Sequence, residues 1–392
     1  MKSRRLSRKR SRTAIITAAA ASVVAGVALV PNWSAGAAVT DDPTVDAATK
    51  ATFQRLADAV FTDRTQALVK GADQGDTRHT SGFSGSVRLS GGQNQEQKSA
   101  LDELRSRRGR LARLGEAYRA GSTKVTLDAT QVKGRHAKVA VTETTSLTYD
   151  KAGAKSPKST GFTAHHELTF TADRHGNWQL TGIQDTDQGY LAVNQVAKPE
   201  VAKVRTTADD GPPSAARSAT TWPAPANRKN LTGTGYDYKA MVSYAAKYWN
   251  QYNPDYPDFN GAGAGGDCTN FVSQALKAGG WKHVPGYTND FHKWFGNSEI
   301  QSDSFIGVNE FSWFALSSKR ATSLANVYQL DIGDVLQMDF NRDGSKDHSM
   351  IVTYRDSRGV PYVSYHSTNT YNRSVASLVA SYPTAAFYAY RT

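Results

Sequence analysis

The segment Gly265-Gly266-Asp267-Cys268-Thr269-Asn270-Phe271-Val272-Ser273-Gln274 sets the only cysteine of the chain after a run of glycines and Asp267. Phe271, Val272, Ala275 and Leu276 recur at helical spacing and Gly279-Gly280 follows as a stop, which predicts a helix over 268–278 with Asp267 at its N-cap. A thiol in the first turn of a helix meets unpaired backbone N–H groups and the positive end of the helix dipole. Both favour an anion, so the position predicts a thiol with a lowered pKa. Gly266 and Asp267 are candidate substrate contacts: the glycines in front let a substrate approach the sulfur closely, and their N–H groups, with that of Cys268, can hold a developing oxyanion. The charge of Asp267 works against the thiolate next to it.

Outward from this segment, residues 236–392 are aromatic-rich and carry four of the seven tryptophans. Asp237 is placed to cap a helix in which Met241, Tyr244, Ala245 and Tyr248 share a face, ended by Asn253-Pro254. Four strands are expected over 335–340, 348–354, 362–367 and 385–390. His348 opens the second of these, right after the polar turn 341–347, and is the candidate general base. Cysteine at a helix start and histidine at a strand start, far apart in sequence, bring a nucleophile and a base together in papain-like hydrolases. Ser357-Arg358-Gly359 reads as a three-residue hairpin loop. In that register Asp356 pairs with Val360, His348 faces Thr368, and His366 lies diagonally on the face of His348 as its orienting partner. A one-residue change of loop puts Asn369 there instead.

The first part of the chain is organised differently. Seven of the basic residues behind the net charge of +12 fall within the first twelve residues, and removing them leaves +5. That basic start, the apolar run 14–30 and Ala35-Gly36-Ala37 have the parts of a secretory signal peptide, so residues 1–37 are expected to be cleaved on export and to leave no stable membrane insertion. With this charge removed, no basic patch interleaved with aromatics remains to suggest nucleic-acid binding. A single cysteine allows no intramolecular disulfide in an exported protein. Residues 45–196 predict two amphipathic helices followed by long strands, a small α+β domain that resembles in outline the nuclear-transport-factor-like fold. His165 and His166, on opposite faces of one strand, are expected on its surface. Residues 197–235 hold five of the thirteen prolines and read as a linker allowing semi-independent motion of the domain over 236–392.

The string Asp267-Cys268-Thr269-Asn270-Phe271-Val272-Ser273-Gln274, with Tyr244-Ala245-Ala246-Lys247-Tyr248-Trp249-Asn250, Gly333-Asp334-Val335, Asp347-His348-Ser349 and Tyr365-His366-Ser367, resembles the putative amidase domain of exported Gram-positive bacterial proteins. That family is similar to the NlpC/P60 and CHAP cell-wall cysteine hydrolases. The resemblance covers about residues 236–392. It implies a papain-like α+β core with an antiparallel sheet, Cys268 as nucleophile, His348 as base and His366 as third residue, with Asn369 the alternative.

Two further features are weighed beside this. Asp339-x-Asn341-x-Asp343-Gly344, with Asp347 in the ninth place, follows the start of a calcium-binding loop, but the twelfth place is Met350 and not Glu, so a polar hairpin turn is the preferred reading and no cofactor is required. Trp294 and Trp313, in the irregular segment, are candidates for a groove that binds peptide or saccharide; Trp249 is read as core. The whole predicts a secreted, extracellular cysteine amidase or peptidase. It would cleave an amide through a thioester acyl-enzyme, with peptidoglycan stem peptide as the expected partner. A non-catalytic cell-wall-binding protein with the same groove, or a thioester acyltransferase, are the alternatives.

Overall fold

The computed structural model describes residues 45–72, 78–187, 191–196, 212, 215–260 and 266–392, so the expected signal peptide and the glycines at 261–265 lie outside the described residues. Helix α1 (Ala47–Ala67) begins where the Asp46 carboxylate accepts the Thr49 N–H, and it buries Phe53, Leu56, Ala57, Val60 and Phe61. Strand β1 (Val87–Leu89) leads into α2 (Gly91–Arg113), which buries Leu101, Leu104 and Leu111. Four long strands follow: β2 (Tyr118–Lys133), β3 (His136–Tyr149), β4 (Ser159–Ala172) and β5 (Trp178–Asp185). They form an antiparallel meander, with β1 parallel to β5.

The second part contains α3 (Tyr238–Tyr248), α4 (Cys268–Ala278), α5 (Asp303–Ile306), α6 (Val308–Ser317) and β6 (Thr322–Leu324). It continues with β7 (Val335–Asp339), β8 (His348–Arg355), β9 (Pro361–Tyr365), β10 (Thr370–Ser374), α7 (Val375–Ser381) and β11 (Ala386–Arg391). The strands join in the order β1-β5-β4-β10-β9-β8-β7-β11-β6, with β3 and β2 extending from β4, in one large, mostly antiparallel sheet. The chain is α+β.

That order corrects the expectation of two semi-independent domains, since β4 of the first part pairs with β10 of the second at Phe162–Thr370 and Gly161–Tyr371. Residues 41–392 form one compact unit. One apolar cluster mixes Leu104, Tyr118, Tyr149 and Phe162 with Tyr328, Met350, Tyr365 and Leu378. The described part of the supposed linker is strapped down as well: the Ser218 N–H donates to Phe387 O, Ala219 accepts from Val327, and buried Lys229 bonds Asp334 at 2.6 Å. Composition does not report contacts.

The second part of the sheet is buried on both faces, which is why its strands read as short continuous apolar runs. Val335, Ile351 and Tyr388 pack with Phe271, Val272, Leu276, Trp281 and Trp294 from the helical side. Met338, Met350, Val352 and Tyr365 face the other way. His166 is also corrected: it is buried beneath Phe61, with Nδ1 2.9 Å from Asp185 and Nε2 3.1 Å from Glu143, whereas His165 is partly exposed beside Asp187.

Candidate active site

Cys268 begins α4 after Gly266, whose φ of +95° is a conformation that favours glycine. The thiol is buried, 2% exposed, at the edge where β8 starts and β9 has already ended. Thr269 Oγ1 lies 3.8 Å from Sγ. Thr269 donates in turn to Ser349 Oγ at 2.9 Å, and Gln337 Nε2 donates to the same oxygen at 3.0 Å. These bonds fix the start of α4 on the first residues of β8.

Desolvation raises the Cys268 thiol pKa above its ordinary value, and the Asp267 charge adds to this against the opposing bonds from Ser349 and Thr269. The expected lowering is therefore corrected: burial has the largest influence on this thiol and raises its pKa. His348 is shifted too, pushed down to about 3 by burial and then by the nearby Arg373 guanidinium. Thiol and imidazole are accordingly both neutral near pH 7.

The hairpin loop is as expected, with Asp356 N donating to Val360 O and Gly359 at φ +84°. The register beyond it is not. A bulge between Val352 and Tyr354 shifts the pairing from Tyr354–Tyr362 to Ile351–Ser364. Ser349, Ile351 and His366 consequently share the face covered by α4, and His348 takes the other face with Met350 and Tyr365. The expectation that His366 orients His348 from the same face is corrected by that one residue. His348 instead meets the Tyr365 ring edge-on at 4.9 Å, and Arg373 Nη1 donates to Tyr365 Oη at 3.0 Å.

His366 pairs with the residue before the cysteine. Its Nδ1 lies 2.6 Å from Asp267 Oδ2 and its Nε2 2.7 Å from the Tyr248 carbonyl oxygen. Phe271 stacks on one side of the ring at 4.2 Å and Tyr252 leans on it at 4.2 Å. Asn369 accepts from Tyr252 Oη at 2.8 Å. Tyr252 was not anticipated, because a lone tyrosine between helices carries no periodic signal.

Trp294 is fully buried, with Nε1 donating to Ser273 Oγ, so its expected place in a groove is corrected to the core. Trp313 is partly buried and meets Phe291 edge-on at 5.9 Å. In the polar turn, Asp339 accepts from Gly344 N, Asn341 from Asp343 N, Asp343 from Ser345 N and Asp347 from Phe340 N. Among the described residues no group of three or more His, Cys, Asp or Glu side chains is arranged to hold a metal ion.

Comparison with known proteins adds a class to this geometry. Residues 235–390 match the family model described as a putative amidase domain, which supports assignment of that part to the family and to amide hydrolysis. The chain is 34% identical over 131 residues to the uncharacterized protein YhbB of Bacillus subtilis strain 168, covering 33% of this chain and 40% of that one. It is 33% identical over 162 residues to the uncharacterized protein YjcM of the same organism, covering 38% of this chain and 36% of that one. Less than half of either relative is spanned. Among solved structures, the intermembrane space region of the chloroplast protein ARC6 aligns over 36% of this chain and 98% of its own at 18% identity, with a TM-score of 0.23.

Proposed function

We propose that the protein is a secreted, papain-like cysteine amidase or peptidase acting on cell-wall peptide or another exported amide, with Cys268 as nucleophile and His348 as base. One observation carries this reading: Cys268 begins a helix whose first turn is bonded through Thr269 Oγ1 to Ser349 Oγ at 2.9 Å, one residue from His348. Neutral His348 takes the thiol proton as sulfur attacks the carbonyl carbon, and the oxyanion is held by N–H groups of the first turn of α4. Collapse expels the amine, which takes the proton back from His348. Water activated by the same imidazole then cleaves the thioester and releases the acid and the free thiol.

Because β9 ends at Tyr365, among the described residues no paired strand flanks that side of the first residue of β8. Rotation of the His348 side chain past this edge is the movement that brings imidazole to sulfur. A substrate-binding role without turnover is the second reading, favoured by the neutral, buried thiol. Hydrolysis of cell-wall peptide by the wild type and by Cys268→Ser separates them: loss of turnover in the variant with binding retained supports the enzyme, whereas binding without turnover in both supports the second reading.

A further inference from the structure

Asp267 occupies the N-cap position of α4, yet its side chain makes no capping bond to the helix. Its carboxylate is committed elsewhere. Oδ2 meets His366 Nδ1 at 2.6 Å, and Oδ1 accepts from Asn270 Nδ2 at 2.7 Å and from Phe259 N at 3.3 Å. Asp267 and His366 are each about 1% exposed.

The proton inventory of this pair follows from the acceptors. The Tyr248 carbonyl can only accept, so His366 Nε2 carries a hydrogen, and a second proton lies in the short Nδ1–Oδ2 contact. Whichever partner holds that second proton, Asp267 and His366 together carry no net charge. Without His366 the donors left to the carboxylate are an amide side chain and a backbone N–H, both uncharged. A bare buried anion would then sit one residue from the sulfur. The other titratable groups facing Asp267 do not compensate it: Tyr244 from α3 and Tyr252 from the following loop are held neutral by burial, and Asp258 adds negative charge. Arg373 and His348 belong to the opposite face of β8.

We infer that His366 is a positioning residue that pairs with Asp267 and ties it to the end of α3, freeing the first-turn N–H groups of α4 for the reacting anion and offsetting the Asp267 charge that opposes thiolate formation. The inference rests on Cys268 being the nucleophile, and it gives His366 a role other than orienting His348.

The test uses the single thiol of the chain, titrated by the pH dependence of its alkylation by iodoacetamide and by the ultraviolet absorbance of the thiolate. His366→Gln keeps a donor to Asp267 but removes the compensating charge, and its profile is expected to move to higher pH by about one unit, roughly tenfold less thiolate at fixed pH below the transition. Asp267→Asn/His366→Gln is expected to return to the wild-type profile. An unmoved His366→Gln profile overturns the inference, as does an equal upward shift in the double variant, which would mark a merely structural role. Should His366→Gln not fold, Asp267→Asn alone decides: an unchanged or lower profile supports the inference and a raised one overturns it. Turnover by Cys268→Ser would refute the cysteine mechanism itself, an outcome the titration does not share.

Discussion

His348 and His366 stand on opposite faces of the β8–β9 pair, one against Tyr365 and the other against Phe271. The two rings therefore serve different neighbours. His348 lies under the influence of Arg373, and His366 under that of Asp267.

The burial of His348 has a consequence for acid stability. Its pKa falls from 6.5 to about 3 on folding, so between those values the unfolded chain binds a proton that the native chain does not. Stability then rises with pH through this window and is lost as pH falls, by on the order of a few kcal/mol. His348→Gln is expected to flatten this limb in urea unfolding measured from pH 4 to 7; an unchanged slope contradicts the assignment.

Glu116 has the opposite sign. It is buried where the two parts of the sheet meet, bonded to Ser374 Oγ, and desolvation raises its pKa from 4.5 to about 7. Between those values the native state keeps a proton that the unfolded state has lost, so stability falls as pH rises, by roughly 3 kcal/mol at most. Glu116→Gln should be more stable than wild type at pH 8 and equal to it near pH 4. The two slopes oppose each other where the windows overlap, so only the single variants reveal them.

The shared sheet predicts one cooperative unfolding transition for residues 41–392, not two. Tyr149 Oη donates to Asn372 O and accepts from Ser374 N, bridging the two parts. Tyr149→Phe should cost about 1–3 kcal/mol and lower the single transition as a whole. Calorimetry resolving two transitions would refute the coupling.

The two tryptophans should separate. Trp294→Ala, emptying a fully buried site, should cost about 3–5 kcal/mol. Trp313→Ala should leave folding nearly intact and raise KM for a peptide substrate. An unchanged KM would rule out the proposed contact of Trp313 with substrate.

Much of this architecture was legible in the residues. The caps at Asp237 and the period of Phe271, Val272, Ala275 and Leu276 located α3 and α4, because each rests on local chemistry. Strand β10 was missed because Thr-Tyr-Asn-Arg-Ser has no apolar alternation, and on the side away from β9 its contacts, with Phe162 and Tyr149, come from some two hundred residues upstream. The bulge was equally silent. It centres on Thr353, whose hydroxyl bonds Tyr362 O and Asn372 Oδ1, contacts that exist only once β9 and β10 are in place. The thiol was misjudged for a related reason: a helix terminus is visible in sequence, but the burial that raises the thiol pKa is not.

As the proposed nucleophile, Cys268 is the residue that carries the acyl group. Intact-protein mass spectrometry after brief exposure to an activated acyl ester at neutral pH tests it directly. A single adduct located on Cys268, lost with time in the wild type and persistent in His348→Ala, is the predicted result. No adduct, or one formed equally in Cys268→Ser, would contradict it.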